Sequence, residues 1–148
     1  MLKLSTQFRY GFRILIYLAK CPGDKFVSVT QICADVNVPK RYTELIIAII
    51  LNKGWVASCR GAKGGYKMCT NPKDITLLDI LNHIEGSTRF ISCLKKPELC
   101  EKSSGCLSRA VLLNIDKLFD NAAKNITLSD LKDIDDPSEI NKFFPRLD

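Results

Sequence analysis

Two short helical patterns separated by one breaker, running straight into a glycine-rich basic hairpin, restrict this chain more than any other feature. Ser28-Val29-Thr30-Gln31 has the form of a capping box, with Ser28 capping and Gln31 reaching back. Ile32, Cys33 and Val36 give that helix its apolar face, and Asn37-Val38-Pro39 breaks it, with Pro39 suited to open the next helix. There Tyr42, Leu45, Ile46 and Ile49 recur at helical spacing, which predicts a core-facing stripe, and Asn52-Lys53-Gly54 supplies a glycine stop. Such a pair is either a plain helical hairpin or a helix-turn-helix. The runs 55–59 and 66–70 are strand-like and flank Arg60-Gly61-Ala62-Lys63-Gly64-Gly65. A helix-turn-helix followed by a cationic β-hairpin is a winged helix, whose second helix reads base edges with its first turns and whose wing can enter a minor groove. Lys40, Arg41, Thr43 and Glu44 occupy those first turns, and Arg60, Lys63 and Lys67 make the wing basic.

Charge agrees with this. The chain carries a net +6, and residues 1–70 hold 11 Lys+Arg against 3 Asp+Glu, whereas residues 71–148 hold 11 against 13. A basic half joined to a slightly acidic half suits a nucleic-acid reader with an assembly or regulatory half, although membrane-surface proteins share such basicity. The glycine tip lacks the spacing of a nucleotide loop and does not lead into a helix. No apolar run reaches membrane-spanning length. The run Ile14–Ala19 is too short for a leader, and Lys20 stands where a small residue belongs, so a cytoplasmic protein is expected.

The remaining patterns are helical. Phe8, Phe12, Leu15 and Ala19 set a core face over residues 5–20, with Arg9, Arg13 and Lys20 along another side. Thr76 and Asp79 cap a helix faced by Leu77, Ile80, Leu81 and Ile84 and ended by Gly86; His83 falls on its polar side. A long helix from about 108 to 124 carries Val111, Ile115, Leu118 and Ala122 on one stripe and Leu112 and Phe119 on an adjoining one. Two stripes call for two partners, the domain itself and a second protomer. A short helix begins at Thr127, and residues 135–148 show no period and form a tail prone to disorder. The expected class is mainly α with a small β-wing.

Between the last two long helical patterns lies ISCLKKPELCEKSSGCL, in which six residues separate Cys93 from Cys100 and five separate Cys100 from Cys106. Its neighbours are hydrophilic, so these thiols have little apolar surface to bury, and three of them together suggest a soft metal, a cluster or redox chemistry. Seven cysteines with no dense framework argue against a disulfide scaffold, and Cys21, Cys33, Cys59 and Cys69 read as packing residues.

The stretches LSTQFRYGFRILIYLA, RYTELI, RGAKGGY and ITLLDILNHIEG with the spaced cysteines resemble the bacterial winged-helix regulators that include IscR, NsrR and CymR (Rrf-type regulators), in their cluster-binding branch. The resemblance covers about residues 2–125. It implies a homodimeric repressor or dual regulator acting on double-stranded operator DNA, with a winged helix-turn-helix over 1–86, a cysteine-rich sensor segment over 87–107, and a dimerisation helix plus short C-terminal helix over 108–134. It also implies an iron–sulphur cluster, 2Fe–2S rather than 4Fe–4S, on Cys93, Cys100 and Cys106, sensing nitric oxide, redox state or cluster supply. Arg41 and Glu44 would read bases and Arg60 would enter the minor groove. Ser28, Thr30, Lys40, Tyr42, Thr43, Lys63, Gly64 and Lys67 complete the expected DNA contacts, and Val111, Ile115, Leu118 and Ala122 the expected seam. The sequence departs from relatives at the fourth ligand: IscR-like members place it where this chain has Arg109, NsrR-like members where it has Arg9, and arginine does not ligate. Glu101, His83, a backbone group, a bound small molecule or an empty iron site remain open for that position. Alternatives are a cluster-free thiol sensor, a zinc-binding adaptor without DNA binding, and an enzyme. The last lacks a Cys-x-x-Cys pair and a serine–histidine constellation.

Overall fold

The computed structural model describes residues 4–86, 94, 96, 98 and 100–144. Helix α1, Thr6–Lys20, is opened by Ser5, whose Oγ accepts the Phe8 N–H at 3.0 Å. It buries Phe8, Gly11, Ile14, Leu15 and Leu18, while Phe12 and Ala19, expected inside, are half-buried. The stripe is broader and turned from the expected one because α1 is central: helices from both ends of the chain pack on it.

Helices α2, Val29–Val36, and α3, Lys40–Asn52, form the expected pair. Asn37 joins them in the left-handed conformation at φ 51°, a state that asparagine adopts more readily than most residues. Ser28 Oγ accepts the Gln31 N–H at 3.2 Å, but the Gln31 amide does not reach back; it donates to the Asp35 carboxylate at 2.8 Å instead. Pro39 is the N-cap of α3 rather than its first helical residue, and its carbonyl accepts the Tyr42 and Thr43 N–H groups.

The helical period in α3 is as expected, but its buried face is shifted by one residue. Thr43, Ile46, Ile47 and Ile50 face the core, while Tyr42 and Leu45 are 46% and 54% exposed. A threonine can lie inside here because its hydroxyl is satisfied locally, accepting from the Cys33 thiol at 3.3 Å and donating to the Pro39 carbonyl at 3.3 Å.

Strands β1, Val56–Cys59, and β2, Gly65–Met68, pair antiparallel from Val56↔Met68 to Cys59↔Gly65. Cys59 therefore lies opposite Gly65. Both Cys59 and Cys69 are exposed and do not serve as packing residues. Helix α4, Leu77–Glu85, carries the expected reciprocal box between Thr76 and Asp79. Helix α5 spans Leu107–Lys124 and α6 spans Leu128–Lys132. Residues Pro137–Phe143, expected to be irregular, wind into a 3-10 helix, and Lys20 Nζ holds the chain just before it through the Ile134 carbonyl at 2.9 Å and Asp135 at 3.1 Å.

The C-terminal part is sewn to the front of the chain. Leu77 N–H donates to the Ile126 carbonyl at 2.8 Å and Leu128 N–H to the Ile75 carbonyl at 2.9 Å. One core accordingly joins Ile14, Leu15, Ile46, Ile50, Trp55, Ile75 and Ile80 to Ala123 and Leu128. No helix among the described residues is long and apolar enough to cross a membrane.

The stitch depends on a cap. Asp130 accepts from the Thr127 hydroxyl at 2.6 Å and the Thr127 N–H at 2.8 Å, and these bonds hold its carboxyl below the usual carboxylate range. Asp130→Ala is expected to cost about 0.5–2 kcal/mol at neutral pH by denaturant titration. A carboxylate with a lowered folded pKa contributes its stability above the unfolded value of about 3.9 and loses it as pH falls through the lowered folded value. The gap between mutant and wild type should therefore close in acid.

Candidate nucleic-acid interface and cysteine segment

The first turns of α3 present Lys40, Arg41, Tyr42 and Glu44 to solvent. Lys40 and Glu44 pair at 3.8 Å, both well exposed, and an exposed i,i+4 pair is weak enough to be exchanged for another partner. Thr43 is not on this surface. It is fully buried and cannot touch a base, which corrects its expected role. Its place on the outer side is taken by Leu45 and Ala48, both exposed. The sequence carried a signal for this, because a face through Thr43, Ile46, Ile47 and Ile50 has the same period as the one through Tyr42 and Ile49.

Ser28 and Thr30 are exposed at the N-terminus of α2, directly beside the wing. The two are joined by a backbone bridge: Val27 N–H donates to the Tyr66 carbonyl at 2.9 Å and Tyr66 N–H to the Val27 carbonyl at 2.8 Å. This closeness explains the paired glycines. A Cβ on Gly65, at φ 151°, would meet the Val27 carbonyl, and one on Gly64 would meet the Cys59 carbonyl. A cleft of about 450 Å³ separates the α2 N-terminus from the wing, with Ser28, Arg60 and Gly64 among its walls. Arg60 and Lys63 are exposed on the tip, whereas Lys67 lays its ammonium 4.9 Å from the Phe26 ring.

Behind this surface a polar cluster fixes α2 on α1. The Tyr17 hydroxyl donates to Asp35 at 2.6 Å, and the Gln31 amide shares that carboxylate. Burial, then the bond to Asp35, pushes the Tyr17 phenol above its ordinary range, and the donors from Gln31 and Tyr17 hold Asp35 below its own.

In the cysteine segment, Cys93 lies outside the described residues. Cys100 is half-buried, and its carbonyl accepts the Ser103 N–H at 3.0 Å. Cys106 is the N-cap of α5, with its Sγ accepting the Arg109 N–H at 3.4 Å. A sulphur donor there meets the free N–H groups and the positive end of an 18-residue helix, an environment that suits an anionic ligand. Thiols suit a soft metal or cluster by donor chemistry, but among the described residues no three His, Cys, Asp or Glu side chains come together to hold one. Glu101 is exposed next to Cys100. His83 does not lie on a solvated face as expected: it is half-buried, its Nε2 is 2.7 Å from the Ile49 carbonyl, and its ring meets Trp55 edge-on at 5.3 Å.

Helix α5 carries the exposed stripe. Leu107, Val111, Ile115 and Leu118 are 79%, 52%, 46% and 69% exposed, whereas Ala122 is half-buried and Phe119 packs against the core. Leu107, beyond the expected stripe, lengthens it by a turn.

Comparison with known proteins agrees with this geometry. Residues 4–134 match the family model described as Rrf2, iron-dependent transcriptional regulator. The chain is 28% identical over 130 residues to Protein rrf2 of Nitratidesulfovibrio vulgaris, covering 88% of this chain and 87% of that one. The structure of CymR, the global cysteine regulator of B. subtilis, superposes with a TM-score of 0.71 at 32% identity, covering 92% of this chain and 100% of that one. T. potens IscR gives a TM-score of 0.70 at 27% identity, with 99% and 94% covered. The chain belongs to the Rrf2 family of winged-helix, DNA-binding transcriptional regulators.

Proposed function

We propose that this regulator works as a homodimer on double-stranded operator DNA, as a repressor, and that an iron–sulphur cluster on Cys93, Cys100 and Cys106 controls its affinity. The observation that carries the reading is the position of Cys106: its sulphur caps α5, and the exposed apolar stripe of α5 begins at the next residue. Whatever binds that sulphur acts on the start of the proposed seam. The seam in turn spaces two copies of α3, and two half-sites must be met together.

Arg41 and Glu44 are assigned to base edges and Arg60 to the minor groove, with Ser28, Thr30, Lys40, Tyr42, Lys63, Gly64 and Lys67 beside them. The cluster would supply a group that gains or loses electrons, or is dismantled by nitric oxide or oxidant, with a 2Fe–2S form favoured. Its fourth ligand is assigned to Glu101. His83 is set aside because its Nε2 is engaged with the Ile49 carbonyl.

The test is an absorption spectrum with iron and sulphide analysis on anaerobically purified protein, followed by DNA binding with and without the cluster. Coloured protein holding iron and sulphide is expected. A second reading keeps the regulator and makes its thiols the direct sensors; the likeness to CymR and the exposed, free Cys59 and Cys69 favour it. Colourless protein that still changes DNA affinity with oxidant would decide for that reading.

The DNA assignment has its own expected result. Arg60→Ala should weaken binding to a selected duplex by about 1–3 kcal/mol, while Lys63→Ala should weaken all duplexes alike and flatten the salt slope by about one. Equal loss for Arg60→Ala on selected and random DNA would remove Arg60 from sequence reading.

A further inference from the structure

The last carbonyls of a helix have no partner in the helix, and α3 ends with Ile49 in that position. In a helix that continued, the Lys53 N–H would serve Ile49. Here it turns to the Ile50 carbonyl at 3.2 Å, and Gly54 N–H follows to Leu51 at 2.9 Å. The Ile49 carbonyl, which the Lys53 N–H does not serve, is met from another element, by His83 of α4 at 2.7 Å. A carbonyl only accepts, so the His83 Nε2 carries the proton and donates.

The same imidazole touches the wing. Its ring lies edge-on to Trp55, which is buried and immediately precedes β1. The Trp55 carbonyl accepts the Cys69 N–H at 3.0 Å and the Thr70 N–H at 3.3 Å, closing the base of the hairpin. One side chain thus caps the recognition helix at its far end and braces the stem from which the wing projects. It sits on the final turn of α4, three residues before Gly86, beyond which the chain runs to the cysteines.

We infer that His83 is the positioning residue through which α4 fixes the recognition helix and the wing relative to each other. This rests on the DNA-reading function proposed above and deepens it. Bases are read by side chains only if α3 and the wing tip reach their two grooves at once, so an error in either element is paid at both. Ordinary packing predicts something different: an apolar residue of similar bulk would then serve as well as histidine. The hydrogen bond separates the two views.

The experiment compares the full chain with its His83→Gln and His83→Leu variants. Gln places a donor near the position of Nε2, while Leu fills space without one. Amide hydrogen exchange on free protein is read at Lys53, Gly54 and Val56. Binding is read on a duplex selected by the wild-type protein from a randomised pool, against the unselected pool, with Arg60→Ala as control. His83→Leu should speed exchange at those amides and weaken the selected duplex about three- to tenfold, as for one lost hydrogen bond. The unselected pool should change little, and His83→Gln should recover most of both losses. Wild-type exchange in His83→Leu overturns the inference, as does equal damage from Gln and Leu. So does altered exchange with unchanged DNA binding where Arg60→Ala does lose affinity, because the bond then exists without positioning anything. If no duplex is enriched and Arg60→Ala changes nothing, the DNA reading itself fails and the inference falls with it.

Discussion

Serine at Cys93, Cys100 or Cys106 is expected to abolish the visible absorption of the anaerobically reconstituted protein, and serine at Cys21, Cys33, Cys59 or Cys69 to leave it in place. The fold should survive each change for identifiable reasons. Cys106→Ser keeps an N-cap, since a serine hydroxyl accepts the N3 amide at least as well as sulphur does. Cys33→Ser keeps a donor for the Thr43 hydroxyl. Cys59 and Cys69 are exposed, so neither change opens a cavity. The loss of colour can then be assigned to ligation, because a serine hydroxyl is a poor ligand for the soft iron of a cluster. Far-ultraviolet circular dichroism and the absorption spectrum, read on the same samples, check both halves. Colour that survives serine at all three segment positions in turn would move the cluster elsewhere. A Glu101→Gln variant with unaltered iron content and spectrum would remove Glu101 from the ligand set.

The parts of the fold legible in the sequence were those written by local chemistry. Thr76 with Asp79 forms the reciprocal cap that the spacing announces, the short last helix starts at Thr127 as expected, and the glycine-rich tip turns the antiparallel hairpin. What was misread depended on which side chains the folded helices bring within bonding distance, some a turn away and some far along the chain. Thr43 was assigned to DNA because it lies in the first turns of the second helix; it shares the inward face of Ile46, Ile47 and Ile50, where the Cys33 thiol and Pro39 carbonyl satisfy its hydroxyl. Gln31 completes a capping-box pattern, yet Asp35, one turn on and already held by Tyr17, is the better acceptor for its amide. His83 was assigned to a wet face because α4 alone shows no partner for it; the partners are Ile49 and Trp55, about thirty positions earlier. Within the site, the basic tip follows from composition, and of the four residues expected in a seam, Val111, Ile115 and Leu118 are left exposed by the protomer while Ala122 is half-buried.

That uncovered stripe leads to the second large effect. Leu107, Val111, Ile115 and Leu118 follow one another at intervals of four, four and three, and together they form a continuous apolar strip rather than scattered exposed residues. Full burial of such a side chain from water contributes about 1.5–3 kcal/mol, and covering the exposed half or more of each against a second copy of the strip would contribute a corresponding share. Ile115 lies in the middle, half exposed and outside the protomer core, so Ile115→Glu should leave the protomer folded. In a dimer the two new carboxylates would face an apolar seam with no partner, which costs several kcal/mol and outweighs the remaining contacts. Sedimentation should therefore show a folded monomer with the wild-type circular dichroism of its helices. Binding to a selected two-half-site duplex should collapse, because each monomer grips one half-site without the gain of a second, intramolecular contact. Binding to the unselected pool should fall far less, since the basic face of 1–70 is untouched. A folded Ile115→Glu dimer with unchanged DNA affinity would place the interface on another face of the molecule.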